Sequence, residues 1–306
     1  MPTRSETLAR AASLRAIFDA QGAVLVEPPI LQPADTLLDL YGEDIRARAY
    51  VTSDALRGEQ MLRPDFTVPV VQMHMAHGAE PARYTYSGEV FRRQEHDPNR
   101  ANEYIQVGFE VFDRADPAAA DAEVFALIAE AMQGLPVRPV TGDIGVLMAA
   151  VQGLDTSPAR KQALMRHIWR PRRFRALLDR YAGRSPVPAG RKALLAKAEP
   201  EISAPMVGLR SQAEIEARVA ALREDAKTAP ISAQQVDLFE ALLEVKETLP
   251  NALSRLRDLA VDMPAIGDAV ARVAARADAM RARGIDTDAL LFEASHGRSS
   301  MEYYDG

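Results

Sequence analysis

Charged and amide side chains are dense in the stretch VFRRQEHDPNRANEYIQVGFEVFD, residues 90–113. Gln106 and Glu110 are four residues apart on a predicted strand, so their side chains share one face. Together with Asp65 they could bind an amino acid, because a buried carboxylate must be paired or hydrogen-bonded and an ammonium group supplies that partner. An internal salt bridge to a neighbouring arginine is the competing interpretation, and the chemistry of the residues alone slightly favours it.

Three arginines accompany these acceptors: Arg63, Arg92 and Arg93. An arginine fork can hold a phosphate or carboxylate through two parallel hydrogen bonds. Alternatively, the arginines form ion pairs with glutamates at the edge of the sheet, namely Glu89, Glu95 and Glu110. The spacing favours neither interpretation over the other.

Other sequence features exclude several kinds of chemistry. The sequence contains no P-loop and no glycine-rich dinucleotide turn. His74 and His77 are one helical turn apart, but no carboxylate pair stands at ligand spacing beside them, so we predict neither a metal nor a cofactor. The basic run RHIWRPRRFR, residues 166–175, could contact RNA, a phosphorylated ligand or an acidic partner. A solvated helix face is the favoured interpretation of this run, because the whole chain is acidic.

The elements that position these residues can be predicted from local signals. Thr3 and Glu6 have the spacing of a capping box, which predicts a first helix. The stretches ARYTYSGEVFRRQ and EYIQVGFEVFD predict two strands of one hairpin, with turn residues between them. Asp116 is the predicted N-cap of a further helix that stops near Gly134.

Composition and texture set the broad class of protein. The 306 residues carry a net charge of -6 and contain no cysteine, which excludes disulfides, thiolate catalysis and cysteine zinc sites. No signal peptide and no membrane-spanning run is evident, so we expect a cytoplasmic protein. We predict a core over 1–153, a mainly helical insertion over 154–285 and a return to the core sheet over 286–306.

Several motifs, taken in order, resemble the core of histidyl-tRNA synthetase, a class II synthetase. They are MLRPDFTVPVV, GEVFRRQ and EYIQVGFEVFD. GAVLVEPPILQ resembles the first class II motif, with Pro29 in the place of its proline, and SSMEYYDG resembles the histidine-binding loop. The resemblance implies an α+β fold of the class II type, with an antiparallel sheet flanked by helices and a helical insertion. It also implies a homodimer formed partly through motif 1.

The resemblance assigns a role to the charged hairpin, which would line an amino-acid pocket. Arg92 matches the motif 2 arginine that holds the ATP α-phosphate, and Asp65 and Thr67 match residues that hold the substrate histidine. Gln106 and Glu110 match residues that face its amino group and imidazole. The implied histidine-like pocket consists of Asp65, Thr67, Arg92, Gln106, Glu110, Tyr303 and Tyr304.

Three departures from the synthetase pattern argue against aminoacylation. Gln94 replaces the glutamate that contacts adenine, and Ser299 stands where the family has its catalytic arginine. A serine cannot neutralise the charge that develops during attack on a phosphate ester. The sequence also stops at Gly306, before motif 3 and any anticodon-binding domain. We therefore expect no catalytic residues.

This pattern fits the synthetase-like paralogues that serve as regulatory subunits of ATP phosphoribosyltransferase. The resemblance implies that the chain binds and activates the short-form catalytic subunit and helps transmit inhibition by histidine, in a hetero-octamer. Histidine would bind in the synthetase-like pocket or at a subunit interface. The alternatives are a minimal or degenerate histidyl-tRNA synthetase and a sensor of uncharged tRNA that uses the basic run, although tRNA is the least favoured partner.

Overall fold

The structure is a computed structural model that describes residues 3–41, 45–94, 99–197 and 211–296. No helix within these ranges is both long and apolar enough to cross a membrane. Five residues named above lie outside the described ranges: Glu95, Ser299, Tyr303, Tyr304 and Gly306.

Helices and short strands follow one another along the described chain. The strands are β1 Val24–Leu25, β2 Leu31–Pro33, β3 Val51–Asp54, β4 Gly58–Leu62, β5 Ala82–Phe91, β6 Glu103–Phe112, β7 Val140–Thr141, β8 Lys246–Thr248 and β9 Leu291–Glu293. The helices are α1 Arg4–Asp19, α2 Ala34–Tyr41, α3 Ile45–Arg48, α4 Thr67–His77, α5 Pro117–Ala131, α6 Ile144–Gly153, α7 Pro158–Arg166, α8 Pro171–Tyr181, α9 Ala189–Ala196, α10 Gln212–Lys227, α11 Ala233–Leu243, α12 Leu249–Asp262 and α13 Gly267–Ala282. A short 3₁₀ helix, Pro264–Ile266, precedes α13.

The chain divides into two compact units. The first unit comprises Met1–Val137 and Asp278–Ile285, and the second comprises Arg138–Ala277 and Asp286–Gly306. The boundaries at residues 153 and 285 that we inferred from the sequence remain predictions.

The long hairpin of β5 and β6 is the centre of the first unit. The two strands pair antiparallel from Ala82↔Phe112 to Phe91↔Glu103, and β1 adds to β5 in parallel. Side chains alternate between the two faces of the sheet. One face packs on α1 and α5 through a cluster around Phe18 and Phe109.

The other face of the hairpin packs on α4 and the residues before it. Phe66 and Val70 are buried there against Tyr86 and Val90 of β5. α4 begins at Thr67, so its first turn lies directly beside this face of the sheet. A second small sheet has the strand order β2-β4-β3. Its strand β4 ends at Leu62, five residues before the start of α4 at Thr67.

Local signals account for the helix ends that we predicted. Thr3 and Glu6 form both hydrogen bonds of a capping box at the start of α1. The side chain of Asp116 accepts a hydrogen bond from the backbone N–H of Ala119, which caps α5. α5 ends at Ala131, and Gly134 follows with φ 82°.

The second unit is mainly helical and contains a sheet in the order β7-β9-β8. β9 pairs in parallel with β7 and antiparallel with β8, so residues 291–293 join the sheet of this unit. Strand β8 falls inside the stretch that we predicted to be mainly helical. Three residues are too few to show an alternating pattern, and the pairing with β9 determines their conformation.

Candidate functional site

The face of the hairpin that packs on α4 carries the predicted acceptors. In the register of β5 and β6, Tyr86 lies opposite Gly108 and Gly88 lies opposite Gln106. Glu110 is two residues beyond Gly108, so it shares this face with Gln106 and Tyr86. Gly88 and Gly108 leave the middle of the face without side chains. Arg63 and Phe66 occupy the space at Gly88, and the ring of Tyr86 occupies the space at Gly108.

Glu110 is a half-buried carboxylate held by two hydroxyl groups. Thr67 Oγ1 donates to Glu110 Oε1 at 3.0 Å, and the hydroxyl of Tyr86 donates to the same oxygen at 3.2 Å. Burial raises the pKa of Glu110, although the two hydrogen bonds oppose that shift, and the neighbouring charge of Asp65 raises the pKa further. No arginine or lysine of the described chain forms an ion pair with Glu110. This carboxylate therefore lacks a cationic partner within the part of the chain that the structure describes.

Gln106 supplies a second unused acceptor on the same face. Its side-chain oxygen Oε1 is buried and accepts no hydrogen bond from any described residue. A buried acceptor without a partner is costly, and native proteins keep few of them. Together, Glu110 and Gln106 can bind a ligand that brings N–H donors and positive charge.

Tyr86 is a site residue that the sequence did not point out to us. Its ring lies over Gly108, where any Cβ would overlap the ring and the hydroxyl oxygen. The ring also stacks on Phe66, with ring centroids 4.3 Å apart and planes at 3°. The hairpin register could have identified it, because a tyrosine opposite Gly108 reaches a carboxylate two residues further along.

Arg63 does not act as a free anion-binding fork. It is buried, its Nε donates to the carbonyl oxygen of Glu89 at 2.8 Å, and its Nη1 donates to the carbonyl oxygen of Pro28. Burial lowers its pKa, although the charge of Glu89 opposes the shift. The sequence suggested either an anion-binding fork or an ion pair with a glutamate. The hydrogen-bond partners of Arg63 are instead main-chain carbonyls.

Arg92 and Gln94 lie where β5 leads into the loop. Arg92 Nε donates to the carbonyl oxygen of Pro64 at 2.8 Å, and its guanidinium carbon lies 5.3 Å from the centre of the Tyr104 ring. Arg92 is thereby placed beside the residue that precedes Asp65. Gln94 Nε2 donates to the carbonyl oxygen of Ala101 at 3.0 Å, across the loop.

Arg93 and His74 lie outside the group of acceptors around Glu110. Arg93 is exposed, and its backbone N–H donates to the carbonyl oxygen of Arg48 at 2.7 Å. His74 is buried, stacks on Phe112 with ring centroids 3.9 Å apart, and contacts the hydroxyl of Tyr84 through Nδ1 at 3.1 Å. His74 is therefore a packed core residue.

The basic run of residues 166–175 spans the end of α7 and the start of α8 in the second unit. Its arginines are exposed, and Arg175 pairs with Glu240 at 2.6 Å. Partial burial lowers the pKa of His167, and the charges of three arginines lower it further. Phe174 is buried, so the run has one packed side and one charged, exposed side.

Comparisons with known proteins identify the family of this chain. The sequence profile of the family described as "Histidyl-tRNA synthetase" matches residues 2–223. A protein of Brucella anthropi named "ATP phosphoribosyltransferase regulatory subunit" is 32% identical over 318 residues, which is 96% of this chain and 82% of that protein. A Brucella canis protein of the same name is 32% identical over 320 residues, with the same two shares covered.

Two solved structures have a similar fold. A Bacillus halodurans protein described as "ATP phosphoribosyltransferase regulatory subunit/histidyl-tRNA synthetase" aligns with a TM-score of 0.67 at 18% identity, covering 99% of this chain and 67% of that one. A histidyl-tRNA synthetase from Nostoc sp. aligns with a TM-score of 0.61 at 16% identity, covering 98% of this chain and 59% of that one. These likenesses show the class II synthetase-like fold.

Proposed function

Because this chain belongs to the histidyl-tRNA synthetase-like family of ATP phosphoribosyltransferase regulatory subunits, we propose that it regulates the short-form catalytic subunit of that enzyme. It serves histidine biosynthesis as a non-catalytic partner. It binds and activates the catalytic subunit, and histidine reverses the activation. The 32% identity to the curated regulatory subunits, over 96% of the chain, supports this proposal.

Histidine binds on the hairpin face beside α4 in this proposal. The observation that carries the assignment is the half-buried carboxylate of Glu110, which accepts two hydroxyl hydrogen bonds but has no described cationic partner. Gln106 Oε1 adds a buried acceptor, and Asp65 adds a second carboxylate whose charge acts on Glu110. A protonated amino acid supplies the positive charge and the N–H donors that this arrangement needs.

Aminoacylation is absent in this proposal. The amide of Gln94 donates to two main-chain carbonyls, that of Arg92 and, across the loop, that of Ala101. The sequence places a serine at position 299, where the synthetases have an arginine. Histidine-dependent exchange between ATP and pyrophosphate is the assay that separates the regulatory role from a minimal synthetase, and we expect no exchange.

A homodimer formed through the motif 1 region completes the proposal. The segment 24–31 exposes four large apolar side chains: Val24, Leu25, Ile30 and Leu31. Exposed apolar side chains concentrated in one segment are typical of an interaction surface. Dimers of this chain would assemble with catalytic subunits into the hetero-octamer that the family resemblance implies.

A pair of threonine variants tests the pocket most sharply. Thr67 donates to Glu110, whereas Thr85 is fully buried on the opposite face and donates to the carbonyl oxygen of Gly108 at 3.0 Å. Thr67→Val should weaken histidine binding about tenfold or more, because a hydrogen bond to a charged group contributes about 1.5–3 kcal/mol. Thr85→Val should lower stability and leave the affinity unchanged. Calorimetric titration with histidine measures the affinity of both variants, and thermal unfolding measures their stability.

Variants of the carboxylates extend the same test to regulation. Asp65→Ala and Glu110→Ala should weaken inhibition by histidine while the fold stays intact. Unchanged inhibition curves in both variants would reject the pocket and would move the histidine site to a subunit interface.

A further inference from the structure

Arg63 contacts both the hairpin that carries the pocket residues Gln106 and Glu110 and the segment that carries the exposed apolar residues. Its side chain is 5% exposed. Its guanidinium donates to the carbonyl oxygens of Glu89 in β5 and of Pro28, and its backbone N–H donates to the carbonyl oxygen of Ile30 at 2.9 Å. Its own carbonyl oxygen accepts from the backbone N–H of Phe91 at 3.1 Å. Arg63 is thereby bonded twice to residues 28–30 and twice to the hairpin.

A continuous series of contacts leads from Arg63 to the carboxylate in the pocket. The guanidinium carbon lies 3.9 Å from the centre of the Phe66 ring, which is a cation–π distance. Phe66 stacks on Tyr86, and the hydroxyl of Tyr86 donates to Glu110 at 3.2 Å. Every step between Glu110 and the carbonyl oxygen of Pro28 is therefore a direct contact.

The packing around this series leaves little free space. A Cβ at Gly88 would lie 2.7 Å from Arg63 Nη2 and 3.1 Å from Phe66 Cζ. Closely packed interiors transmit a displacement to their neighbours because they cannot be compressed. A shift of Tyr86 or Phe66 must therefore move Arg63.

Burying an arginine at this position is costly. Its guanidinium loses hydration, and hydrogen bonds to main-chain carbonyls offset that loss. An arginine can, however, hold carbonyl oxygens of two separate strands at once through its fixed fork of donors. This property suits a residue that positions one segment relative to another.

We propose that Arg63 is a positioning residue that couples occupation of the histidine pocket to the conformation of the 24–31 segment. This inference rests on the proposed function, because the pocket and the dimer surface are assigned there. Its consequence is that histidine bound beside Glu110 alters the apolar surface about Pro28 and Ile30. The coupling factor should reach at least about fivefold, the lower end for allosteric proteins.

Hydrogen exchange measured by mass spectrometry tests the coupling on the full chain. The reporter is the peptide that covers residues 24–34, with and without saturating histidine. The variants are Arg63→Lys, which keeps the charge and loses the fork, and Gly88→Ala, which displaces the guanidinium without removing it. Arg160→Lys is the matched control, because Arg160 is 7% exposed and donates through Nε to Asp225 at 2.6 Å within the second unit.

The expected result separates coupling from simple loss of stability. Histidine should change exchange of the 24–34 peptide at least about fivefold in the parent chain and in Arg160→Lys, and less than about twofold in Arg63→Lys and Gly88→Ala. Calorimetry should show that Arg63→Lys still binds histidine.

Three results would overturn the proposal. If histidine still changed exchange of the 24–34 peptide in both Arg63→Lys and Gly88→Ala, Arg63 would not carry the coupling. A parent chain that binds histidine without any change in the peptide would leave the pocket standing and reject the coupling. A parent chain that binds no histidine would reject the pocket, and the coupling with it.

Discussion

Replacing Gly108 by alanine should disturb the pocket through a single side chain. The added Cβ would overlap the ring and hydroxyl oxygen of Tyr86. The same ring stacks on Phe66 with a centroid separation of 4.3 Å, and this contact restricts its movement. Overpacking of this kind costs about 1–3 kcal/mol, and loss of the hydrogen bond from Tyr86 to Glu110 costs about 1.5–3 kcal/mol.

The two contributions together predict that Gly108→Ala loses roughly 2.5–6 kcal/mol of unfolding free energy. Thermal unfolding should therefore show a fall in Tm of at least about 5 °C. Calorimetry should show histidine affinity reduced by about tenfold or more, because one donor to Glu110 is displaced. These two measurements test the stability and the binding consequences separately.

Gly267→Ala is the matched control for this substitution. A Cβ at Gly267 meets nothing within 4 Å, and the backbone there is helical, with φ -52° and ψ -48°. Alanine should be neutral or stabilising by up to about 1 kcal/mol at this position. If Gly108→Ala matched this control in both Tm and histidine affinity, the placement of Tyr86 against Glu110 would be refuted.

Three further predictions concern charge. Glu110→Gln should stabilise the ligand-free chain by about 1 kcal/mol, since the amide still accepts both hydroxyl hydrogen bonds, and should weaken histidine binding because the negative charge is lost. Burial raises the pKa of Glu110, so its contribution to stability falls as pH rises from its unfolded pKa through its folded pKa. Denaturation at several pH values should therefore show the advantage of the variant growing from about pH 4 to neutral. Burial raises the pKa of Asp225, but hydrogen bonds from two arginines outweigh it and hold the pKa below its ordinary value. That stability is present above the unfolded pKa and is lost as pH falls through the folded pKa, so Asp225→Asn should flatten the acid limb of a pH titration followed by circular dichroism. Arg172→Glu with Arg173→Glu, both on the exposed side of α8, should change unfolding free energy by less than about 0.5 kcal/mol and leave tRNA binding at the parent level.

Local signals were sufficient to predict much of the first unit. The capping box of Thr3 with Glu6, the N-cap Asp116 and the alternating hairpin strands each depend on residues close together in sequence. Strand β8 could not be predicted in this way, because its three residues are extended only through pairing with β9. The likeness to the class II synthetase fold came from several motifs in a fixed order, which is a stronger signal than any one of them.

In the candidate site, too, features set by nearby residues could be predicted from the sequence, and contacts between distant residues could not. Period-2 spacing predicted that Gln106 and Glu110 share a face, and the register confirms that they do. The contact between Thr67 and Glu110 crosses 43 residues of sequence, and only the family resemblance predicted that the two residues lie in one pocket. The partners of Arg63 are main-chain carbonyls, which any residue type can offer, so no sequence pattern could indicate them.

The most direct test of the proposed function is turnover of the short-form ATP phosphoribosyltransferase catalytic subunit from the same cell. Turnover is measured with and without this chain, across a titration with histidine. We predict that the chain raises turnover, that histidine reverses the increase, and that the Glu110→Ala chain still activates but responds to histidine only at higher concentration. A catalytic subunit whose turnover is the same with and without the folded chain would contradict the regulatory function.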